Sequence, residues 1–198
     1  MAGSNKVFLD FGTNKFQGVE AIYKREKMND TWDVYTFEPN KLLRDWGVNV
    51  KPTVEKRINN TITQYPYGIW NENTIKTFSS PAHTDKETGG GHVTEIGEQY
   101  RQNSVPIRHC DYRQEIELRD VKEIIERHKG SEIVIKMDIE GSEYTVIDRI
   151  LECDLGQYIK TFYIEYHARL FVNQAEMQKK QEQQIQDLRQ TSNVHLWH

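Results

Sequence analysis

The residues best suited to chemistry crowd around the end of one apolar segment. Lys136, Asp138 and Glu140 alternate there, and Glu143 follows three residues later. Burying so many charged groups costs free energy unless they have partners or reach solvent, so the pattern indicates a functional site. A structural alternative stays open, in which Glu140 or Ser142 caps the following helix and Glu143 stabilises its first turn.

A second group of residues has the spacing of a nucleoside site. The segment Asp10–Asn14 follows an apolar run, and its Gly12 allows the backbone to approach a ligand closely. The start of the next helix offers free N–H groups. Glu38, at the end of the next predicted strand, is placed to accept both hydroxyls of a ribose. A plain turn and a helix-terminal acid are the structural alternatives, but together the two motifs favour nucleoside binding.

A third candidate follows another apolar run. One residue separates Glu165 from His167, so on a strand both project to the same face. Together with Asp138 they offer oxygen and imidazole ligands for one divalent cation. Hydrogen bonding between these side chains is the interpretation we favour, and a metal site is the alternative.

The elements that must position these residues alternate between strands and helices. Apolar runs predict strands over residues 7–11, 33–37, 61–69, 73–79, 105–110, 133–138, 161–166 and 194–197, with a turn at 71–72. Helical periodicity predicts helices over residues 16–28, 40–46, 118–129, 142–152 and 174–190. This alternation predicts an α/β fold with a mostly parallel sheet and helices on both faces. Because the carboxyl ends of parallel strands share one edge, the acidic residues that follow them should meet there.

Residues 81–104 lose periodicity and contain three consecutive glycines, 89–91. A loop of this length in a compact domain is typically functional or disordered. We therefore predict a flexible lid over the substrate side of a single domain that spans residues 1–198. His83 and His92, within this loop, are expected to be exposed to solvent.

Composition narrows the function classes. The formal net charge of −4 over 198 residues gives no general attraction to nucleic acid or anionic membranes. No apolar run approaches the roughly 18 residues that span a bilayer, and the first residues carry no signal-peptide core. Cys110 and Cys153 match no zinc or redox pattern. We expect two reduced thiols and a cytoplasmic protein, with the oligomeric state left open.

Several of these motifs resemble one known family. Residues 10–14 (Asp-Phe-Gly-Thr-Asn), 37–40 (Phe-Glu-Pro-Asn), 135–144 (Ile-Lys-Met-Asp-Ile-Glu-Gly-Ser-Glu-Tyr) and 164–167 (Ile-Glu-Tyr-His) are similar, in order and spacing, to the FkbM methyltransferase family. The resemblance implies a class I methyltransferase (Rossmann-like) fold, with a seven-stranded sheet whose last strand is antiparallel. It also implies S-adenosylmethionine as the cofactor, and methyl transfer to a hydroxyl of a sugar or small natural-product-like substrate.

The resemblance also assigns residues to the cofactor. Those implied to contact it are Asp10, Gly12, Thr13, Asn14 and Glu38 on the methionine and ribose side, and Gly68, Ile69 or Asp111 near the adenine. Family members usually have Gly-Ala-Asn-x-Gly at the first turn, whereas this chain has Phe16 at the last of these positions and its next glycine at Gly18. Either Phe16 narrows the cofactor pocket, or the turn is remodelled around Gly18.

Methyl transfer requires an oxygen in line with the methyl group, and positioning supplies much of the catalysis. A base or a metal ion also activates a hydroxyl. Asp138 is our first choice for base or metal ligand, followed by Glu140, Glu165 and His167, with Lys136 beside them. Two alternatives stay open. One is an RNA ribose 2′-O-methyltransferase that uses Lys136, Asp138 and Glu140, and the other is a non-catalytic binding module, for which the altered glycine turn is the argument.

Overall fold

Two β-sheets and the helices packed on them form the structure, a computed structural model that describes residues 5–81, 91–101 and 112–197. The strands are β1 (Lys6–Phe11), β2 (Trp32–Phe37), β3 (Ile62–Tyr65), β4 (Gly68–Trp70), β5 (Thr74–Ser80), β6 (His92–Val93), β7 (Tyr112–Asp120), β8 (Glu132–Met137), β9 (Ile159–Ile164) and β10 (Asn193–Leu196). The helices are α1 (Gln17–Arg25), α2 (Lys41–Ile58), α3 (Thr94–Gly97), α4 (Val121–Arg127), α5 (Glu143–Glu152) and α6 (Gln174–Leu188), with short 3-10 helices over Leu155–Tyr158 and Ala168–Leu170.

The central sheet has six strands in the order β10-β9-β8-β1-β2-β3, and every neighbouring pair is parallel. From β1 the chain builds toward β3 on one side, and from β8 it builds toward β10 on the other. The strand order therefore reverses between β1 and β8, whose last residues Phe11 and Met137 are register partners. Ligands of α/β sheets bind outside the carboxyl ends of the strands at such a reversal.

Apolar side chains cover both faces of this sheet, which is why its central strands are continuous apolar runs. In β1, Leu9 and Phe11 belong to the larger core cluster, and Phe8 belongs to a second cluster. Helices α4 and α5 contribute Ile124 and Val146 to the first of these, whereas α1 and α2 contribute to the second. The predicted α/β fold with a mostly parallel sheet and packed helices is confirmed.

The expected seventh strand with antiparallel direction is wrong for the described residues. The final strand, β10, runs parallel to β9, with His195 opposite Tyr163. The intervening helix α6 makes a crossover, which returns the chain in the direction of the preceding strand. The strand predicted over residues 105–110 lies outside the described part of the chain.

A second sheet of four strands, in the order β4-β7-β5-β6, shares the larger core cluster with the central sheet. The predicted strand over 61–69 is divided into β3 and β4, and β4 and β5 each pair with β7 rather than with each other. The sequence prediction misses β7 because it starts a helix at residue 118. Helix α4 begins at Val121, after Asp120 accepts a hydrogen bond from the Lys122 backbone N–H at 2.9 Å.

Helix α2 is much longer than the helix predicted over 40–46, because it continues to Ile58. The Thr and Asn content of the stretch beyond residue 50 favours β structure locally. Val54 and Ile58, however, are buried in the second core cluster. Packing of this apolar face stabilises the helix against the local preference.

Part of the predicted long loop has regular structure. Residues 91–101 contain β6 and α3, and Val93 and Ile96 belong to the larger core cluster. The loop prediction is wrong for these residues, because a two-residue strand and a single helical turn are too short to show a period. His92 is buried, which corrects the expectation of an exposed histidine.

The remainder of that segment lies outside the described residues. Positions 82–90, which include His83, and positions 102–104 belong to it. A lid over the substrate side stays a prediction.

Candidate functional site

A cleft opens where the strand order reverses, and it encloses about 650 Å³ when the solvent at its mouth is included. The sequence-predicted site residues that line it are Gly12, Asn14, Glu38, Gly68, Ile69, Asp138 and Glu140. Its apolar wall is completed by Phe37, Leu43, Phe78, Val93, Ile116 and Leu118. Asp111, predicted near an adenine, lies outside the described residues.

The Gly12 turn is shaped by the protein itself. Gly12 has a φ of +78°, and a Cβ atom there would lie 2.0 Å from the backbone oxygen of Asp138. Its N–H donates to the carbonyl of Phe37 at 3.1 Å. The loop after β1 is thus held between the ends of β2 and β8, and only glycine allows so close an approach.

Glu38 lines the cleft with both carboxylate oxygens bonded to the backbone. Oε2 accepts a hydrogen bond from the Asn14 N–H and Oε1 from the Asn40 N–H, each at 2.9 Å. Burial raises the pKa of Glu38 to about 7, although these two N–H groups and Arg44 act in the opposite direction. Because each carboxylate oxygen can accept more than one hydrogen bond, Glu38 retains acceptor capacity toward the cleft.

Asp10, Thr13 and Lys136 lie beneath the cleft and do not line it. The Thr13 hydroxyl donates to Asp10 Oδ2 at 2.5 Å, and Lys136 Nζ lies 3.4 Å from Asp10 Oδ1. Lys136 Nζ also donates to the Gly12 carbonyl at 2.9 Å and lies 3.4 Å from Asp138 Oδ2. Burial would lower the pKa of Lys136, but Asp10 and Asp138 raise it. In the free protein these three side chains bond to one another and to the Gly12 turn, and the predicted contact of Asp10 and Thr13 with a cofactor and the predicted catalytic role of Lys136 stay predictions.

Phe16 does not narrow the cleft. Its side chain is buried in the second core cluster, and a Cβ on Gly47 of α2 would lie 3.3 Å from its ring. Gly18 leaves room for the stem of Lys136, since a Cβ at Gly18 would lie 3.0 Å from Lys136 Cε. Phe16, where the family usually has glycine, therefore packs in the second core cluster and not against the cleft.

The second sheet forms an apolar wall of the cleft, and the sequence prediction missed strand β7 of this wall. Gly68 of β4 faces Leu118 of β7, because a Cβ at Gly68 would lie 2.6 Å from Leu118 Cδ2. Ile69 and Ile116 continue this apolar surface along the cleft. The alternation of apolar and charged residues in Tyr112–Asp120 is the signal that would have identified β7.

The backbone after β8 takes an unusual path at the cleft. Glu140 has a φ of +50°, a left-handed conformation that is uncommon for residues other than glycine, and Gly141 follows with a φ of +89°. The Tyr100 hydroxyl donates a hydrogen bond to the Glu140 carbonyl. Gly141 is needed because a Cβ there would lie 2.2 Å from the Tyr100 hydroxyl oxygen. Tyr100, which the sequence did not single out, therefore supports this turn.

Three of the predicted catalytic carboxylates come together around the imidazole of a fourth predicted residue, His167. His167 Nε2 lies 3.4 Å from Glu140 Oε2, 3.7 Å from Glu165 Oε1 and 3.8 Å from Asp138 Oδ1. We call Asp138, Glu140, Glu165 and His167 the carboxylate cluster. Burial would lower the pKa of His167, but the neighbouring carboxylates, with Glu143 foremost, raise it to about 10.

Glu143 belongs to the charged segment that the sequence indicated, but its contact with His167 was not predicted. Its side chain is fully buried. Oε1 accepts hydrogen bonds from the His167 N–H and lies 2.9 Å from His167 Nδ1, while Oε2 accepts from the Gly141 N–H at 2.9 Å. One carboxylate thus fixes both the turn after β8 and the ring of His167.

Within the described residues, Asp138, Glu140 and His167 each offer one metal-ligand atom, and these atoms lie within 4.8 Å of one another. The set predicted from sequence contained Glu165 in place of Glu140. Among residues 5–81, 91–101 and 112–197, no helix combines the length and apolar character needed to cross a membrane.

Among the comparisons with known proteins, the family model agrees with the motifs. In the solved structures, the crystal structure of methyltransferase FkbM from Methylobacillus flagellatus KT matches with a TM-score of 0.43 and 19% sequence identity. The match covers 76% of this chain and 31% of that one, so this chain spans about a third of that protein's length. A search of curated proteins gives no match. The family model described as the methyltransferase FkbM domain matches residues 10–191. The chain therefore belongs to the FkbM methyltransferase family.

Proposed function

We propose that this chain is an S-adenosylmethionine-dependent O-methyltransferase of the class I fold, which methylates a hydroxyl of a sugar or small natural-product-like molecule. The observation that carries the proposal is a single cleft in which acidic residues flank the loop after β1. Glu38 lies on the β2 side of Gly12, and Asp138 lies on its β8 side. One carboxylate is suited to a ribose and the other to a proton of the methyl acceptor.

The residues present fit an adenosine-bearing cofactor. Glu38 keeps acceptor capacity toward the cleft, where two ribose hydroxyls would donate. Ile69, Ile116 and Leu118 provide the apolar surface that a flat heterocycle requires.

When bound, the cofactor supplies an electrophilic methyl group on a positively charged sulfur. Asp138 accepts the proton that the acceptor hydroxyl loses as its oxygen attacks. Geometry selects Asp138 over His167, because Asp138 lines the cleft and His167 is buried behind it. Lys136, 3.4 Å from Asp138 Oδ2, keeps this carboxylate in place from below.

Two other interpretations of the sequence have less support. RNA ribose methylation would use Lys136 in the active site, but its side chain is buried beneath the cleft and bonded to Gly12. The argument for a non-catalytic binding module was the altered glycine turn. Phe16 does not line the cleft, so its presence in this turn does not argue against catalysis.

Calorimetric titration with S-adenosylmethionine tests the proposal. Glu38→Ala should weaken binding at least tenfold, because each lost charge-assisted hydrogen bond to ribose contributes about 1.5–3 kcal/mol. Glu72→Ala, at an exposed position in the turn before β5, is the matched control and should bind like the parent protein. Absence of binding to the parent protein would overturn the proposal.

The position of methylation is tested with a panel of glycosides and hydroxylated small molecules. The products should carry the new methyl group on oxygen, as read by NMR. Methylation on nitrogen or sulfur would refute the O-methyltransferase part alone.

A further inference from the structure

The carboxylate cluster has the spacing of a metal-ligand set. A divalent cation with six ligands at about 2.1–2.2 Å places neighbouring ligand atoms about 3.0 Å apart and opposite ones about 4.3 Å apart. The three carboxylate oxygens lie 3.4, 3.7 and 3.8 Å from His167 Nε2, between these two limits. Small side-chain movements would therefore bring the ligand atoms of Asp138, Glu140 and His167, which lie within 4.8 Å of one another, onto one ion.

The orientation of His167 is a separate observation that points to the same conclusion. The ring is 2% exposed, and its Nδ1 lies 2.9 Å from Glu143 Oε1. Histidines that bind metals typically donate one ring N–H to a carboxylate, which directs the other nitrogen at the ion. Here that other nitrogen, Nε2, is directed into the three carboxylates, and Glu143 itself is fully buried.

Charge favours a cation at this point. Three carboxylates converge on Nε2, and Lys136 and Arg169 each lie next to one of them. Lys136 is 3.4 Å from Oδ2 of Asp138, which is not the oxygen nearest His167. Arg169, mostly exposed, lies 3.3 Å from Oε1 of Glu165, the oxygen that faces Nε2. The four carboxylates around His167 still outnumber the formal positive charges of Lys136, Arg169 and a protonated His167, so a divalent ion in place of the His167 proton would relieve an excess of negative charge.

We propose that Asp138, Glu140 and His167 bind one divalent cation of the Mn²⁺ type. Oxygen ligands suit Mg²⁺ and Mn²⁺, and the single imidazole shifts the preference from Mg²⁺ toward Mn²⁺. Glu143 is a positioning residue that directs the imidazole. The role of the ion rests on the proposed function: at the cleft edge it would bind the acceptor hydroxyl and lower the pKa of that hydroxyl.

The ligand set makes a distinct prediction for each variant. The chain is treated with chelator and titrated with MnCl₂, and binding is followed by calorimetry and by the Mn²⁺ EPR signal. Glu140→Gln, which keeps the shape of a partly exposed side chain, should weaken Mn²⁺ binding at least tenfold. Glu143→Gln should also weaken it by about 10–100-fold, as loss of an outer carboxylate does. Asp45→Asn, an exposed acid on α2, is the control and should leave the affinity unchanged.

Spin-echo EPR separates ligation from a structural effect. Bound Mn²⁺ should show coupling to a histidine nitrogen in the parent protein and in Glu140→Gln. That coupling should disappear in His167→Gln. Absence of saturable Mn²⁺ binding below about 1 mM, or equal affinity in Glu140→Gln and the parent protein, would overturn the proposal and leave a proton on His167 as the charge that holds the cluster together.

Titration of S-adenosylmethionine on the same samples distinguishes this inference from the proposed function. Cofactor binding without Mn²⁺ binding would refute only the metal site. Mn²⁺ binding without cofactor binding would refute only the methyltransferase assignment.

Discussion

The proposed role of Glu38 predicts that cofactor affinity depends on pH, in a direction set by the raised pKa of this carboxyl group. In the free protein, burial raises the pKa of this carboxyl group to about 7, from an ordinary value of 4.5. Two ribose hydroxyls that donate to the carboxylate stabilise its charged form, so they lower this pKa in the complex. The ligand must then bind the ionised form, and binding strengthens as pH rises through 7.

The size of the effect follows from the fraction of Glu38 that is ionised. With a pKa of about 7, roughly a tenth of the carboxyl groups are ionised at pH 6 and about nine-tenths at pH 8. The affinity should therefore increase about tenfold over this interval and level off above pH 8. The pKa of His167, about 10, lies outside the interval.

The assay is calorimetric titration with 5′-methylthioadenosine at pH 6, 7 and 8. This ligand carries the ribose but lacks the amino-acid group of S-adenosylmethionine, whose α-amino group titrates near pH 7.7–8.0. Glu38→Gln is the matched control, because it keeps the side-chain shape and removes the titration. A parent protein whose affinity does not change with pH, or a variant with the same slope, would refute the reasoning about Glu38.

Three further predictions concern the cleft and its supports. Asp138→Asn should abolish methyl transfer while S-adenosylmethionine still binds, and transfer at the parent rate would remove Asp138 as the base. In urea unfolding, Gly12→Ala should destabilise the protein by more than Gly130→Ala. Both glycines have positive φ, but of the two only Gly12 has no room for a Cβ, which would lie 2.0 Å from the Asp138 oxygen. Phe16→Gly should lower the free energy of unfolding by about 2–4 kcal/mol, because the stability lost with the buried ring is partly regained when glycine relieves the strain of the φ of +65°. The same variant should bind the cofactor with an affinity within twofold of the parent protein. A large loss of affinity in that variant would place Phe16 in the pocket.

The residues that follow the strands of the central sheet were predictable from sequence. Long apolar runs identify β1, β2, β8 and β9, and the carboxyl ends of parallel strands necessarily share one edge. Glu38, Asp138 and Glu165 could therefore be placed near one another without knowledge of side-chain contacts.

The supports of the site were not predictable in this way, because they depend on contacts distant in the chain. Glu143 is 24 residues from His167, and Tyr100 is 40 residues from Glu140. In the sequence alone, a glutamate at a helix start has a sufficient explanation in the helix dipole. The second sheet was missed for a related reason, since β4 has three residues and β6 has two, too few for alternation to be recognised.

Left-handed backbone conformations and a buried carboxyl group, which both cost free energy, occur together at the cleft, and this favours a ligand there. Of the six non-glycine residues with positive φ in the described chain, Asn14 and Glu140 line the cleft and Phe16 precedes α1. The other three, Lys27, Asn59 and Asp154, follow helix C-termini, where this conformation is common. Glu38, in the same cleft, is buried so that its charged form is disfavoured. Packing of the core requires none of these costs, and such costs persist where they serve binding or catalysis. A ligand that donates hydrogen bonds to Glu38 and a cation among the carboxylates would each offset one of them, because both stabilise negative charge that the free protein holds at a cost.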